Sequence, residues 1–253
     1  MIAATARPGR RTGTRPSSDL ALQLFDGFGL RVDGRFVEVP GTVQRLLAYL
    51  CLRPGATREQ VAGSLWPGSS EIRAAACLRS TLWRVNQASK PLLARGRDRL
   101  VLSDHVRIDY REWTAAASSY LDRVDAPLPE PLGDASWAGE LLPAWYDDWV
   151  LAERERMRQL HLHVLDTMSV RLADEGRYAT ALDAALMALR LEPLRESAQR
   201  SVVRIHLAEG NVSEALRAYE TYARLIHHEL GVGPSALLRT LVKPYYQQMA
   251  ASR

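Results

Sequence analysis

One stretch of this chain occurs twice at a fixed offset, and that repetition limits the possible folds more than any other feature. LADEGRYATAL (residues 172–182) returns as LAEGNVSEAL (residues 207–216), so Glu175/Glu209, Gly176/Gly210, Ala181/Ala215 and Leu182/Leu216 recur 34 residues apart. That offset is the period of the tetratricopeptide helix pair. The glycine ends the first helix of each pair, and the Ala-Leu step lets the second pack closely. Neither helix can bury its apolar stripe alone, so such pairs must stack. Pro193 starts the second unit, and helices at about 148–175 and after Pro234 complete the stack. Repeats of this kind bind partners and carry no chemistry of their own.

The first half has a different pattern. LQLFDGFGLRVDGRFVEV (residues 22–39) alternates apolar and polar positions and is punctuated by Asp26-Gly27 and Asp33-Gly34. Asp-Gly between alternating runs marks a tight hairpin, so a small antiparallel sheet is expected. Gly27 and Gly29 do not form a dinucleotide loop, because a strand and not a helix N-terminus comes after them. Three helices come next. Thr42 is the expected cap of VQRLLAYLCL, whose Val43, Leu46, Leu47 and Leu50 keep the spacing of a buried stripe. Pro54-Gly55 ends that helix. Thr57 and Gln60 form a capping box that opens REQVAGSLW, and Pro67-Gly68 closes it. A third helix is expected over residues 70–89.

At about 100° per residue, Ala74, Leu78, Leu82 and Val85 share the inward face of that third helix. Arg73, Ser80, Arg84 and Gln87 share the opposite face, and Arg79 and Trp83 flank the buried stripe. Arg can bridge guanine O6 and N7, Gln can bridge adenine N6 and N7, and Ser suits a phosphate oxygen. Taken alone, this face equally suits an ordinary solvated helix. The segment after the helix tips the balance. PLLARGRDRLVLSDHVRID reads as a hairpin with strands near residues 92–95 and 100–102, and a third short strand spans about 106–109. Arg95, Arg97 and Arg99 alternate around its Gly96 turn, putting three guanidinium groups on one side of a ribbon that can grip phosphates or enter a minor groove. Sheet, three helices and basic hairpin are the order of a winged helix.

The net charge of +4 is unevenly distributed. Residues 1–114 hold 18 Arg and Lys against 10 Asp and Glu, and residues 115–253 hold 15 against 19. A basic half suits a polyanion, and an acidic half does not. Residues 1–19 read as a disordered basic tail without the apolar run of a signal peptide. No stretch approaches the ~18 apolar residues of a membrane helix, so a cytoplasmic, nucleoid-associated protein with no membrane partner is expected. Cys51 and Cys77 make no zinc motif and are read as reduced structural thiols. Asp147, Asp148, Glu153 and Glu155 stand among Arg154, Arg156 and Arg158, which favours helix-surface ion pairs over catalytic carboxylates. His161 and His163 point to different helix faces and cannot chelate together, and His227-His228 shares that geometry. No phosphate loop or nucleophile elbow occurs. No catalytic residue, metal or cofactor is expected, and the chain is read as a non-enzyme.

RLLAYLCLRPG, REQVAGSLWPG, LRSTLWRVNQ and the basic hairpin, in that order, resemble the OmpR-type winged helix of the Streptomyces antibiotic regulatory proteins. ELLPAWYDDWVLAERERMRQL followed by ALRAYETYARLIHHELGVGPS is similar to their bacterial transcriptional activation domain. Together the matches span residues 22–246. The resemblance implies binding to direct repeats in double-stranded promoter DNA upstream of antibiotic-biosynthesis genes. It also implies a homodimer or side-by-side protomers that recruit RNA polymerase holoenzyme through sigma factor and core subunits. It puts Arg73, Arg79, Ser80, Thr81 and Arg84 nearest the bases or their phosphates, and Arg95, Arg97 and Arg99 along the backbone. Larger relatives append a nucleotide-hydrolysing domain, and a chain ending after the helical module resembles the short form. Val85, Asn86 and Gln87 stand where the family often carries a denser basic cluster.

The expected architecture is mainly α with small β-sheets: a tail (1–19), a winged helix (20–114), a connector (115–144) and tetratricopeptide-like helical repeats (145–253). The expected function is sequence-specific transcriptional activation. One alternative is a helical-repeat adaptor without DNA binding, against which the three hairpin arginines argue. Another is a repressor, which would use the same surface chemistry.

Overall fold

The computed structural model describes residues 20–87, 91–94, 98–123 and 139–251. They divide into two units, one of Met1–Glu112 with Glu140–Trp145 and the other of Trp113–Gly139 with Tyr146–Arg253.

The first unit opens with β1 (Leu20–Gln23), β2 (Gly29–Val32) and β3 (Arg35–Phe36). β1 and β2 pair antiparallel with Leu20 opposite Val32 and Leu22 opposite Leu30, which collects the buried leucines on one face. The two Asp-Gly steps make the expected turns: Asp26 (φ 60°), Gly27 (φ 128°), Asp33 (φ 52°) and Gly34 (φ 77°) all lie in left-handed space. The sheet is mixed, however, and not purely antiparallel. β6 (Val106–Ile108) lies parallel to β1, giving the order β3-β2-β1-β6. Three helices separate those two strands in sequence, and a long crossover of this kind permits parallel pairing where a tight hairpin cannot.

The helices are α1 (Gly41–Leu52), α2 (Arg58–Leu65) and α3 (Glu71–Asn86). Thr42 does not cap α1. Pro40 takes that place without a side-chain bond, and its carbonyl accepts from Val43 N and Gln44 N. The capping box of α2 is present: Thr57 Oγ1 accepts from Gln60 N at 3.2 Å, and Gln60 Oε1 accepts from Thr57 N at 2.9 Å. Leu46, Leu47, Leu50, Val61 and Leu65 fill the core with Ala74, Leu78, Leu82 and Val85 of α3. Arg45 donates to Leu65 O at 3.1 Å, and the hydroxyls of Tyr49 and Ser64 meet at 3.1 Å, fixing α1 against α2. Arg111 Nη2 donates to Leu50 O and satisfies a carbonyl that the end of α1 leaves open.

The hairpin after α3 forms through Ala94 N to Val101 O and Ser103 N to Leu92 O, both at 2.9 Å, with a bridge between Leu93 and Leu102. Its return strand β5 (Arg99–Leu100) pairs antiparallel with β4 (Ala56–Thr57), just before α2. The connector expected at 115–144 begins inside a helix. α4 (Asp109–Asp122) runs across that boundary, and the division between the units falls within it. The far end of the connector belongs to the first unit, where Leu142 N donates to Leu24 O and Asp26 N to Glu140 O. Asp109, at the start of α4, accepts from Leu24 N at 2.9 Å and Phe25 N at 3.1 Å, clamping the end of β1.

The second unit is helical: α5 (Asp148–Asp174), α6 (Tyr178–Leu191), α7 (Glu196–Ala208), α8 (Val212–Leu230) and α9 (Ala236–Ala251). Each helix packs on the next. The sequence repeat appears in the backbone itself. Gly176 (φ 76°) and Gly210 (φ 78°) end α5 and α7 in the left-handed conformation. Arg177 N donates to Leu172 O and Asn211 N to His206 O, both at 2.8 Å. These are two helix-ending Schellman bonds, offset by the repeat period. Ala181 and Ala215 are fully buried, as close packing of the second helix in each pair requires. Trp113 and Tyr120 of α4 meet α5 through Trp113 against His161 and the Arg171 guanidinium over the Tyr120 ring. No described helix is long and apolar enough to cross a membrane.

Candidate nucleic-acid interface

α3 is held from behind by its apolar stripe, so its other side is free to meet a ligand. Arg73, Arg79, Ser80, Arg84 and Gln87 are all exposed there. Glu71 is the lone acidic residue of the helix, and Arg73, Arg79 and Arg84 form no ion pair or hydrogen bond among the described residues. Arg73 and Arg84 are eleven residues apart, which is about 16 Å along the axis. A helix is about 10–12 Å across with its side chains, which suits a major groove about 12 Å wide.

Thr81 departs from the expected set. It is 3% exposed and its Oγ1 donates to Cys77 O at 2.9 Å, so its hydroxyl is spent inside the helix and turned toward the core. Arg99 is exposed but donates from Nη1 to Gly55 O at 2.9 Å, bracing β5 against the turn before α2. Arg95 and Arg97 lie outside the described residues.

Three features of this face escape a reading confined to the polar residues of α3. Arg58, the first residue of α2, shares with Arg79, Trp83 and Leu93 a hollow of about 410 Å³ between α3 and the hairpin. Trp83 is 64% exposed and Ile72 is 84% exposed. The helical wheel already placed both away from Leu78 and Val85, so the signal was present. A larger hollow of about 910 Å³ runs between α2 and α3 beside Trp66 and Ile72.

Several ionisable groups elsewhere are held by their surroundings in the fold. Glu153 is buried at 2% exposure and clasped by Arg156, which corrects the expectation of a surface pair. Glu155 is exposed, and hydrogen bonds from Arg158 and Gln159 hold its carboxyl down to about 2. His161 is buried, and desolvation pulls its pKa down to about 4, while His163 faces outward. Burial pushes the Cys51 thiol well up, and both Cys51 and Cys77 are free. Among the described residues, no group of three His, Cys, Asp or Glu is placed to hold a metal.

Residues 132–243 match the bacterial transcriptional activator domain. The chain is 27% identical over 247 residues to Regulatory protein AfsR of Streptomyces coelicolor, covering 93% of this chain and 25% of AfsR. It therefore spans about a quarter of the length of that relative. Its fold resembles that of Mycobacterium tuberculosis EmbR, solved in complex with a low-affinity phosphopeptide. The TM-score is 0.69 at 19% identity, over 91% of this chain and 66% of that one. A match to the bacterial transcriptional activator domain in its helical half and similarity to AfsR along nearly its whole length both support the resemblance to the Streptomyces antibiotic regulatory proteins.

Proposed function

We propose that this chain is a sequence-specific, DNA-binding transcriptional activator. Its winged helix would hold double-stranded promoter DNA at direct repeats, with α3 in the major groove and the hairpin along the backbone. Arg73, Arg79, Ser80, Arg84 and Gln87 face the duplex in this reading, and Arg95, Arg97 and Arg99 line the phosphates. The helical unit, built of paired helices with matching Schellman ends, is a tetratricopeptide-like surface for RNA polymerase holoenzyme and a neighbouring protomer. Such a protein works on the nucleoid in the cytoplasm, and the genes served would be those of antibiotic biosynthesis.

One observation carries the DNA-binding reading: three guanidinium groups stand on the outer face of α3 with no partner among the described residues. The apolar stripe behind them holds the helix in place. Substituting Arg84→Ala tests it. A bidentate arginine contact with guanine is worth about 1–3 kcal/mol, so affinity for a bound promoter fragment at fixed salt should fall roughly 5- to 150-fold. Unchanged affinity would overturn the assignment of α3.

A further inference from the structure

The outer face of α3 has a second chemistry beside its arginines. At about 100° per residue, Ile72, Ala76, Arg79 and Trp83 fall within about 60° of one another. Ile72 and Trp83 are largely exposed and Ala76 is exposed with them. An isoleucine left 84% exposed near the start of the helix keeps apolar surface in water at a cost the fold does not recover. Charge argues for the occupant. Arg73 adjoins Ile72 on one side, and Arg79 and Arg84 follow along the helix, against Glu71 in the helix and Glu59 of α2 across the hollow beside Ile72. A surface that is apolar at its centre and cationic around it fits a partner bearing methyl groups between rows of anions. Duplex DNA supplies both in its major groove, where thymine carries a C5-methyl between the phosphate strands.

We infer that Ile72, with Ala76 one turn on, reads thymine C5-methyl groups, so the first two turns of α3 lie over at least one A·T pair. This rests on the placement of α3 in the major groove proposed above. Recognition helices commonly contact base edges through their N-terminal residues, and these two lie in the first half of α3. Isoleucine suits the task because β-branching leaves one strongly preferred rotamer in a helix, so little freedom is lost when a methyl packs on it. Arg73 and Arg84 fix position and guanine, while Ile72 sets the preference for thymine over cytosine.

The test removes the methyl from the DNA and the isoleucine from the protein. Genomic fragments of the host retained by the full chain are remade with deoxyuridine in place of thymidine, and affinities are measured for wild type, Ile72→Ala and Arg84→Ala. Burying one methyl is worth about fourfold in affinity, so wild type should bind the uracil duplex at least fourfold more weakly. Ile72→Ala should lose less than twofold on the same change, and Arg84→Ala should weaken both duplexes by one common factor. Ile72 is a surface residue, so its substitution leaves the core intact. If wild type binds both duplexes equally, or Ile72→Ala keeps the wild-type ratio, the inference is wrong and Ile72 serves another surface, such as a protein docked at the α2–α3 hollow. If no fragment is retained even at low salt, the DNA-binding reading falls and this inference falls with it.

Discussion

His161 lies on α5 with 7% of its surface exposed and its ring edge-on to Trp113, 6.3 Å between centroids and 74° between planes. Burial pulls its pKa from 6.5 to about 4. A base whose folded pKa is depressed is held neutral by the fold. Its contribution to stability is therefore fully present above the unfolded value near 6.5 and is lost as pH falls toward the folded value near 4. Each pH unit inside that window is worth about 1.4 kcal/mol, so the whole shift is worth about 3 kcal/mol, and about 2 kcal/mol of it is gone by pH 5. The perturbation is His161→Phe, which keeps a flat ring against Trp113 and cannot be protonated. Guanidinium unfolding of both proteins, followed by far-ultraviolet circular dichroism at pH 7.5 and 5.0, isolates the histidine, because every other titrating group is common to the two. Wild type should lose about 2 kcal/mol relative to His161→Phe between the two pH values. A difference that stays constant to within about 0.5 kcal/mol would show that burial does not hold this imidazole neutral.

Other consequences are as direct. Gly176→Ala and Gly210→Ala should each cost about 1–2 kcal/mol in urea unfolding. A Cβ at either position meets nothing within 4 Å, so left-handed strain is the whole penalty, and clearly unequal costs would refute the equivalence of the two helix ends. Asp109→Ala leaves the amides of Leu24 and Phe25 without their acceptor and should cost about 2–4 kcal/mol. Hydrogen exchange across β1 should accelerate, and unchanged exchange would refute the clamp. Thr81→Val should leave DNA affinity within about twofold of wild type, since the hydroxyl serves Cys77 O. A larger loss would return Thr81 to the interface.

How much of the molecule could be read from the chain depends on the range of the forces involved. The helix ends at Gly176 and Gly210 and the box at Thr57 and Gln60 are set by residues within one or two turns, so composition and spacing exposed them. The buried stripe of α3 was legible for the same reason. The parallel pairing of β1 with β6 joins residues more than eighty positions apart, and no local pattern encodes it. α4 was within reach, because Trp113, Ala117 and Tyr120 keep helical spacing and are buried. The prolines farther along drew the boundary instead. The burial of Glu153 and the bond from Arg99 to Gly55 depend on neighbours that only the folded chain assembles. Thr81 lies at the margin of the buried stripe, where helical angle alone does not decide between core and solvent.

Affinity for duplex DNA across a salt series reads out the cationic face of α3 itself. Arg73 and Arg79 are exposed on it beside Arg84, the residue assigned to guanine. If each of the two neutralises a phosphate, the logarithm of the binding constant should fall with the logarithm of salt concentration at a slope of about −1.8 or steeper per protomer. Replacing both Arg73 and Arg79 by Ala should flatten that slope by about 1.8. A slope near zero, or a doubly substituted protein that keeps the wild-type slope, would mean that this helix does not lie against the phosphates.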